Sequence, residues 1–257
     1  MSNNEDWKLV QRKRRGNGKV PKLKLVIDNV SDFSFTEIDS YLKKLKDACG
    51  FVKTTEFYHK LIKLIKNSNS NDYEEIICYG IGSFSSNYQA MYQLAFLLEL
   101  QAVYGIPVLI YDPIFNVLER SILNTLGLIL ILENEEGKRK VSRGTIFFLP
   151  HCPKELFNNL LWSNWGQPLR YCTILGNKHS EMLTFTAGKV LRQFWYIRHI
   201  TPAILEFDVI NDFKYQDVFN NMALHVFPLD KLRAIPEAIW LHQEVPVYEC
   251  DEEFNQQ

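Results

Sequence analysis

Two glycines between an apolar strand and a helix are the residues of this chain best suited to binding a small molecule. Within residues 74–87, a β-branched apolar run ends at Gly80 and Gly82. Because glycine has no Cβ atom, the backbone can turn sharply there and a ligand can approach it closely. A helix starting near Ser86 would direct N–H groups and its positive dipole end at the same space. Ser85 stands where the dinucleotide signature has its third small residue, so the match to that signature is partial.

Polar residues that end the other predicted strands belong to the same edge, because ligands of open α/β sheets bind outside the carboxyl ends of the strands. Asp112 could accept hydrogen bonds from ribose hydroxyls, or it could cap the next helix ahead of Pro113. This combination favours a mononucleoside-type ligand such as S-adenosylmethionine over a dinucleotide. The strand-end candidates are Gly80, Gly82, Ser83, Asp112, Glu133, Asn134, His151, Cys152, Gly176 and Asn177.

An imidazole and a thiol stand side by side at His151 and Cys152, after the fourth predicted strand. Such donors can bind haem iron, and Cys152 with Pro153 resembles haem-regulatory Cys-Pro dipeptides. Two donors without a third do not make a zinc site, so no metal site is predicted. The alternative is that His151 is a hydrogen-bonded residue in a pocket wall.

Indole rings and amides are concentrated in the next helix and turn. This segment could form a site wall or a surface for a protein partner, because it offers stacking area and fixed hydrogen bonds. Alternatively, the tryptophans pack beneath the sheet while the asparagines cap and turn the chain. The residues concerned are Asn158, Asn159, Trp162, Asn164 and Trp165.

Several kinds of enzyme chemistry have no signature here. Ser83 lies in a GxGSFS context rather than in a GxSxG nucleophile elbow, which argues against a hydrolase. A GxxxxGK[ST] phosphate-binding loop is also missing from the sequence, which argues against kinases and nucleoside triphosphatases. Whether the protein catalyses any reaction stays open.

The elements that must position these residues follow from the hydrophobic pattern. Helical spacing predicts two helices, from Ile38 to Cys49 and from Phe57 to Ile65. Apolar strands then alternate with helices, and strands apolar throughout belong to parallel sheets covered on both faces. The predicted fold is α/β, a three-layer Rossmann-like sandwich with a mostly parallel sheet of about five or more strands. The strands are expected at 76–80, 107–112, 128–132, 145–149 and 171–176.

Composition divides the chain into four predicted parts. A basic disordered arm (1–30) precedes a helical N-terminal addition (31–72), a Rossmann-like core (73–200) and a C-terminal extension that packs on the core and ends in an acidic tail (201–257). The net charge of -1 gives no reason to expect a polyanion along the whole surface. Nucleic acid could bind only through the basic arm, which could equally be a nuclear-localisation signal or a solvated tail.

The five cysteines are odd in number and show no CxxC pair, which favours reduced thiols in cytosol or nucleus. No segment approaches the roughly 20 apolar residues of a membrane span. We therefore expect a soluble protein of the cytoplasm, with the nucleus as a further compartment, and no membrane partner.

Several motifs in a fixed order resemble the sensitivity-to-red-light-reduced (SRR-like) family. They cover about residues 73–177, and a weaker similarity continues through FNNMALHVFP at 219–228. The motifs are CYGIGSFSSNYQAMYQLAFLLEL at 78–100, YDPIF at 111–115, LNTLG at 123–127, ENEEGKR at 133–139 and LPHCPKELFNNLLWSNW at 149–165.

This resemblance implies a regulatory protein rather than a known reaction. Plant members of the family act in light signalling and circadian input, and animal members are linked to haem biosynthesis and clock-gene expression. Regulatory protein partners and a small-molecule ligand are therefore expected. Pro153 stands where vertebrate members are expected to carry glycine, which argues against a general Cys-Pro haem mechanism. An S-adenosylmethionine-dependent methyltransferase is the alternative function, from Gly80, Gly82 and Asp112 in methyltransferase-like order.

Overall fold

A seven-stranded sheet forms the centre of the structure, a computed structural model that describes residues 35–68, 72–184 and 192–248. The predicted basic arm, Cys250 and the acidic tail lie outside these residues. The spatial order is β3-β2-β1-β4-β5-β7-β6. The strands are β1 (Tyr73–Tyr79), β2 (Val108–Tyr111), β3 (Ile129–Leu130), β4 (Gly144–Leu149), β5 (Cys172–Asn177), β6 (Leu205–Asp208) and β7 (Met222–Val226).

Helices cover both faces of this sheet within the described residues. Two short 3₁₀ helices, Gln167–Tyr171 and Gln216–Val218, supplement them. The α-helices are α1 (Phe35–Lys53), α2 (Glu56–Ser68), α3 (Tyr88–Tyr104), α4 (Val117–Thr125), α5 (Lys154–Ser163), α6 (His179–Thr184), α7 (Trp195–Ile200), α8 (Leu229–Ala234) and α9 (Glu237–Trp240).

The central strands are buried on both faces because apolar residues occupy both faces along most of their length. Successive side chains point to opposite faces of a strand. On β1, Ile76 and Cys78 accordingly join one hydrophobic cluster with α1 to α4, whereas Ile77 and Tyr79 join a second cluster with α5 and α7. Burying each such side chain stabilises the fold by roughly 1.5–3 kcal/mol. The predicted three-layer α/β sandwich is confirmed.

The first two helices belong to the first of these clusters. Leu45 and Val52 of α1 and Phe57 of α2 are buried in it together with Phe96 of α3. Phe57 also stacks on Phe219, with ring centroids 4.5 Å apart. Helices α1 and α2 thus share a core with the sheet and help to fix α3, whose N-terminus faces the glycine turn.

Parallel pairing extends from β3 to β5, and the last two strands reverse it. Strand β7 runs antiparallel to β5, with Leu224 opposite Leu175, and β6 pairs antiparallel with β7 at the edge. The C-terminal region therefore adds two strands to the sheet beside β5. The position of this region in the sheet depends on the pairing of β7 with β5 and of β6 with β7, which no local sequence pattern predicts.

Strand β3 differs from its prediction as a buried strand over 128–132. Only Ile129 and Leu130 pair with β2, and Ile129 is 50% exposed and Leu132 87% exposed. The reason is that β3 is the outermost strand, with a neighbour on one side only. An apolar run of this length does not by itself distinguish a central strand from an edge strand.

Candidate ligand-binding cleft

A cleft of about 390 Å³ opens at the carboxyl ends of β1 and β4, beside the N-terminus of α3. The chain leaves β1 toward β2 on one side and later enters β4 on the other, so this is the topological switch point of the sheet. The volume lies at the lower end of the range for small-molecule sites. Its wall includes Gly80, Asn87, Gln93, His151, Asp217 and Asn220.

Both glycines of the turn adopt backbone conformations that favour glycine. Gly80 has φ +70° and Gly82 has φ +84°, and both angles lie in the left-handed region. A Cβ atom at Gly80 would also lie 2.5 Å from the Sγ atom of Cys152. The turn therefore requires glycine at position 80 for two reasons, its backbone angle and the close approach of a buried thiol.

Asp112 stabilises the glycine turn through hydrogen bonds from two backbone N–H groups. Its Oδ2 atom accepts a hydrogen bond from the N–H of Gly82 at 2.7 Å, and its Oδ1 atom accepts one from the N–H of Ile114 at 3.0 Å. The residue is 5% exposed. The structure therefore places Asp112 in the framework of the turn, not at the cap of α4, where Asn116 is the N-cap.

Glu119 is a second buried carboxylate in this framework. Its Oε1 atom accepts hydrogen bonds from the hydroxyl of Ser83 at 2.8 Å and from the N–H and hydroxyl of Ser85, both at 2.9 Å. Its Oε2 atom accepts one from the N–H of Asn116, which closes the capping box of α4. Sequence reasoning missed Glu119, although the spacing from Asn116 to Glu119 is a capping-box pattern.

The N-terminus of α3 is capped by Asn87, and the helix begins at Tyr88 rather than near Ser86. The Oδ1 atom of Asn87 accepts hydrogen bonds from the N–H groups of Gln89 at 2.7 Å and Ala90 at 3.4 Å. Asn87 thus satisfies donors that an uncapped helix would offer to a ligand.

The side chains of His151 and Cys152 lie in different surroundings, one exposed and the other buried. The thiol of Cys152 is buried and donates to the carbonyl of Tyr79 at 3.2 Å, and burial, with the charge of Asp112, raises its pKa to about 12. His151 is exposed, has φ +52°, and its Nε2 atom lies 3.2 Å from the carbonyl oxygen of Val218. A protonated, buried thiol behind the turn does not fit a haem thiolate ligand.

Asn177, at the end of β5, supports the segment after β4. Its Nδ2 atom donates to the carbonyl of Cys152 at 2.8 Å, while its buried Oδ1 atom has no hydrogen-bond partner among the described residues. Gly176 lies within β5, where a Cβ atom would approach the carbonyl oxygen of Leu149 to 3.1 Å. Both residues thus hold β4 and β5 together beside the cleft.

Glu133 and Asn134 are exposed after the edge strand β3, outside the cleft lining. The Oδ1 atom of Asn134 accepts a hydrogen bond from the N–H of Glu136 at 3.0 Å, so its recorded bond stabilises a local turn.

Asn159 of α5 and Asn164, which follows the helix, form hydrogen bonds with backbone groups. Asn159 donates to the carbonyl of Glu136 at 2.8 Å, and Asn164 both accepts from the N–H of Val141 and donates to the carbonyl of Arg139, each at 2.8 Å. These bonds tie the loop between β3 and β4 to the helix.

The tryptophans beside them contact α9 and the segment that follows it. The indole N–H of Trp162 donates to the carbonyl of Gln243 at 3.3 Å, and that of Trp165 donates to the carbonyl of Ile239 at 3.2 Å. Trp162 and Asn164 line a separate hollow of about 340 Å³ with Lys140. The structure therefore places this predicted set outside the cleft of Gly80 and His151.

Residues from distant segments complete the cleft, and sequence reasoning missed them. Asp217 accepts hydrogen bonds from the hydroxyl of Tyr88 and from Nε2 of Gln89, the latter at 2.9 Å. Buried Gln93 donates to the carbonyl of Val218 at 2.8 Å. Asn220 lies in the FNNMALHVFP motif, but nothing in the sequence predicts that Asp217 and Asn220 reach the end of β1, because the fold alone brings them there.

Among the residues that the structure describes, no group of three or more His, Cys, Asp or Glu side chains is arranged to hold a metal ion. None of the described helices combines the length and the apolar character needed to cross a membrane. A hollow of about 300 Å³ between α2 and the residues after β6 is mainly apolar and lies apart from the glycine turn.

The chain is similar to three proteins with related names. An SRR1-like protein of Drosophila melanogaster is 28% identical over 250 residues, which cover 93% of this chain and 90% of that protein. An SRR1-like protein of Mus musculus is 37% identical over 143 residues, 53% of this chain and 57% of that protein. Protein SENSITIVITY TO RED LIGHT REDUCED 1 of Arabidopsis thaliana is 27% identical over 162 residues, 56% of this chain and 59% of that protein.

A family model gives the same assignment. The model of the SRR1 domain matches residues 42–226, which include α2, the glycine turn and all seven strands. Since this match covers well over half of the sequence, the chain belongs to the SRR1 domain family.

Proposed function

We propose that this chain is a regulatory protein of the SRR1 family that binds a small molecule in the cleft at Gly80 and His151. The observation that carries the proposal is a polar cleft of about 390 Å³ at the switch point of a Rossmann-like sheet. Open α/β sheets bind their ligands at this position. The name of the Arabidopsis relative, which refers to sensitivity to red light, supports a regulatory role.

A cleft-filling substitution tests ligand binding directly. Native mass spectrometry of protein purified from its own cells, followed by denaturation, would identify any released small molecule. Exposed Asn220 lines the cleft, so Asn220→Trp should lower the bound fraction, whereas Asn124→Trp on the exposed face of α4 should not. A wild-type protein that carries no small molecule would overturn the ligand-binding part of the proposal.

The regulated processes that we propose are haem biosynthesis and the expression of circadian clock genes. The support is the family membership. Haem content and clock transcripts should both differ between cells with and without the protein, and Asn220→Trp should reproduce the loss more closely than Asn124→Trp. Unchanged values of both quantities would contradict this assignment.

An S-adenosylmethionine-dependent methyltransferase is the second candidate function. The observation that favours it is the glycine turn of Gly80 and Gly82 at the switch point of the sheet, with Asp112 directly after β2. Fold alone does not establish activity. Asp112 would have to bind ribose hydroxyls while it also holds the N–H groups of Gly82 and Ile114.

Methyl transfer provides the test of this second candidate. Purified protein incubated with methyl-labelled S-adenosylmethionine and an extract from its own cells should transfer label, and Asn220→Trp should reduce the transfer. An absence of label above that of a heat-inactivated sample would count against the methyltransferase.

The macromolecular partners and the cellular compartment of the protein are also proposals. We infer that regulatory proteins are the macromolecular partners and that the protein acts in the cytoplasm and also in the nucleus. Nucleic-acid binding through the basic arm concerns residues outside the described structure. Deleting residues 1–24 should abolish such binding if the arm is responsible for it.

A further inference from the structure

We propose that the cleft selects an unphosphorylated, donor-bearing ligand of the nucleoside class, either uncharged or cationic, and rejects its phosphorylated counterparts. This inference rests on the proposed function, because it names the ligand class of the same cleft. It distinguishes this site from Rossmann-like sites in which a glycine turn and a helix N-terminus bind a pyrophosphate.

Several backbone donors around the turn that a phosphate could use are already engaged by the protein. The N–H of Gly80 donates to the carbonyl of Tyr111 at 3.1 Å, and the N–H of Gly82 donates to Asp112. At the start of α3, the side chain of Asn87 accepts from the N–H groups of Gln89 and Ala90. Phosphate binding would therefore compete with bonds that hold the turn together.

The charges around the turn also disfavour an anion. Neither lysine nor arginine lines the cleft among the residues described, whereas the carboxylate of Asp217 does. The carboxylates of Asp112 and Glu119 lie directly behind the turn, and both residues are buried. Like charges repel more strongly when they are shielded from water, so these groups oppose a bound phosphate.

Two of the side chains that reach the cleft, those of His151 and Asp217, can present acceptors. The Nε2 atom of His151 donates to the carbonyl of Val218, since a carbonyl oxygen only accepts, and in the neutral tautomer that makes this bond the Nδ1 atom is an acceptor. The hydrogen bonds from Tyr88 and Gln89 to Asp217 are both accepted by its Oδ2 atom. A carboxylate can accept several further hydrogen bonds. Ribose hydroxyls, an amine or an ammonium group would supply the matching donors.

Calorimetry on the full chain with matched ligands tests this selectivity. Adenosine and AMP differ by one phosphate, and S-adenosylmethionine adds positive charge. We expect adenosine and S-adenosylmethionine to bind, and AMP and ATP to bind roughly tenfold or more weakly. Asp217→Asn should weaken S-adenosylmethionine binding more than adenosine binding, and Asp47→Asn, an exposed position on α1, should change neither.

The failures of the two proposals are distinct. AMP or ATP binding as tightly as adenosine would overturn the ligand class and leave the cleft as a ligand site. If none of the four ligands bound at millimolar concentration, the proposed nucleoside class would also be overturned. Ligand binding as such is decided separately, because native mass spectrometry reports a bound molecule of any class.

Discussion

Gly80 shows how one residue can determine the shape of the candidate site. Its left-handed backbone angle and its contact with Cys152 Sγ both exclude a side chain. The thiol fills the space behind the turn and is too deeply buried to act as a thiolate near neutral pH, because burial raises its pKa to about 12. At this scale, Cys152 has a packing role and Gly80 provides the surface that a ligand can approach.

We predict that Gly80→Ala lowers the free energy of unfolding by about 2–4 kcal/mol, the sum of a left-handed backbone penalty and overpacking. Gly50→Ala in α1 is the matched control, since a Cβ atom there meets nothing within 4 Å. It should be neutral or stabilising by up to about 1 kcal/mol. Urea denaturation measures both changes.

A double-mutant cycle separates the two causes at Gly80. Against a Cys152→Ala background, Gly80→Ala should cost less, because the overpacking has been removed while the backbone penalty persists. An equal cost in both backgrounds would show that the thiol contact contributes nothing.

Helix α4 and the glycine turn form one unit through Glu119. The side chain is 0% exposed and accepts hydrogen bonds from Ser83 and Ser85 of the turn and from Asn116 at its own helix start. A single carboxylate therefore positions the turn relative to β2 and α4. The cleft depends on this connection between elements, although Glu119 does not line it.

We predict that Glu119→Ala lowers the free energy of unfolding by about 2–4 kcal/mol, because several buried donors lose their acceptor and α4 loses its capping box. Glu119→Gln keeps an acceptor oxygen and should cost less. Glu133→Ala, at an exposed position after β3, should stay within about 0.5 kcal/mol of wild type. Equal denaturation midpoints for Glu119→Ala and Glu133→Ala would refute this connecting role.

The hydroxyl of Tyr248 attaches the segment after α9 to α5, in addition to the bond from Trp162 to Gln243. Tyr248 accepts a hydrogen bond from Nδ2 of Asn158 at 3.0 Å and lies 2.7 Å from Oδ1 of Asn159. Both asparagines are buried. Removing this hydroxyl would leave buried amide atoms unpaired.

We predict that Tyr248→Phe lowers the free energy of unfolding by about 1–3 kcal/mol, the usual cost of unpaired buried polar groups. Tyr104→Phe is the control, because the buried hydroxyl of Tyr104 has no hydrogen-bond partner among the described residues. That change should be neutral or stabilising. If thermal denaturation gives the two variants the same stability, the Tyr248 bonds do not hold the segment in place.

For the molecule as a whole, the sequence predicts what is encoded locally. Apolar runs identify β1, β4 and β5, and Gly80 with Gly82 marks the switch point, because each signal lies within one short segment. The register of β7 against β5, and the approach of Asp217 and Asn220 to β1, depend on contacts between distant segments. Residue chemistry suggests a site wall at Trp162 and Asn164, and only the fold shows that they lie in a hollow separate from the glycine turn.

The last strands also make the molecule sensitive to acid. Burial alone would raise the pKa of Glu206, but hydrogen bonds from His225 and Ser180 and the charge of His225 lower it to about 2. The pKa of His179 is lowered, chiefly by burial. In both cases the unfolded chain binds protons more readily than the folded chain, so stability must fall as the pH falls.

We predict two consecutive windows of acid destabilisation. The His179 contribution is lost as the pH falls below about 6.5, and the Glu206 contribution is lost as the pH falls from about 4.5 toward about 2. Glu206→Gln should therefore cost about 1–2 kcal/mol at pH 7, after allowance for solvent screening. The difference from wild type should shrink steadily below pH 4.5. Urea denaturation between pH 7 and pH 3 measures this difference, with Glu133→Gln as the exposed control. A difference that stays constant with pH would show that the charge of the Glu206 carboxylate does not contribute to stability.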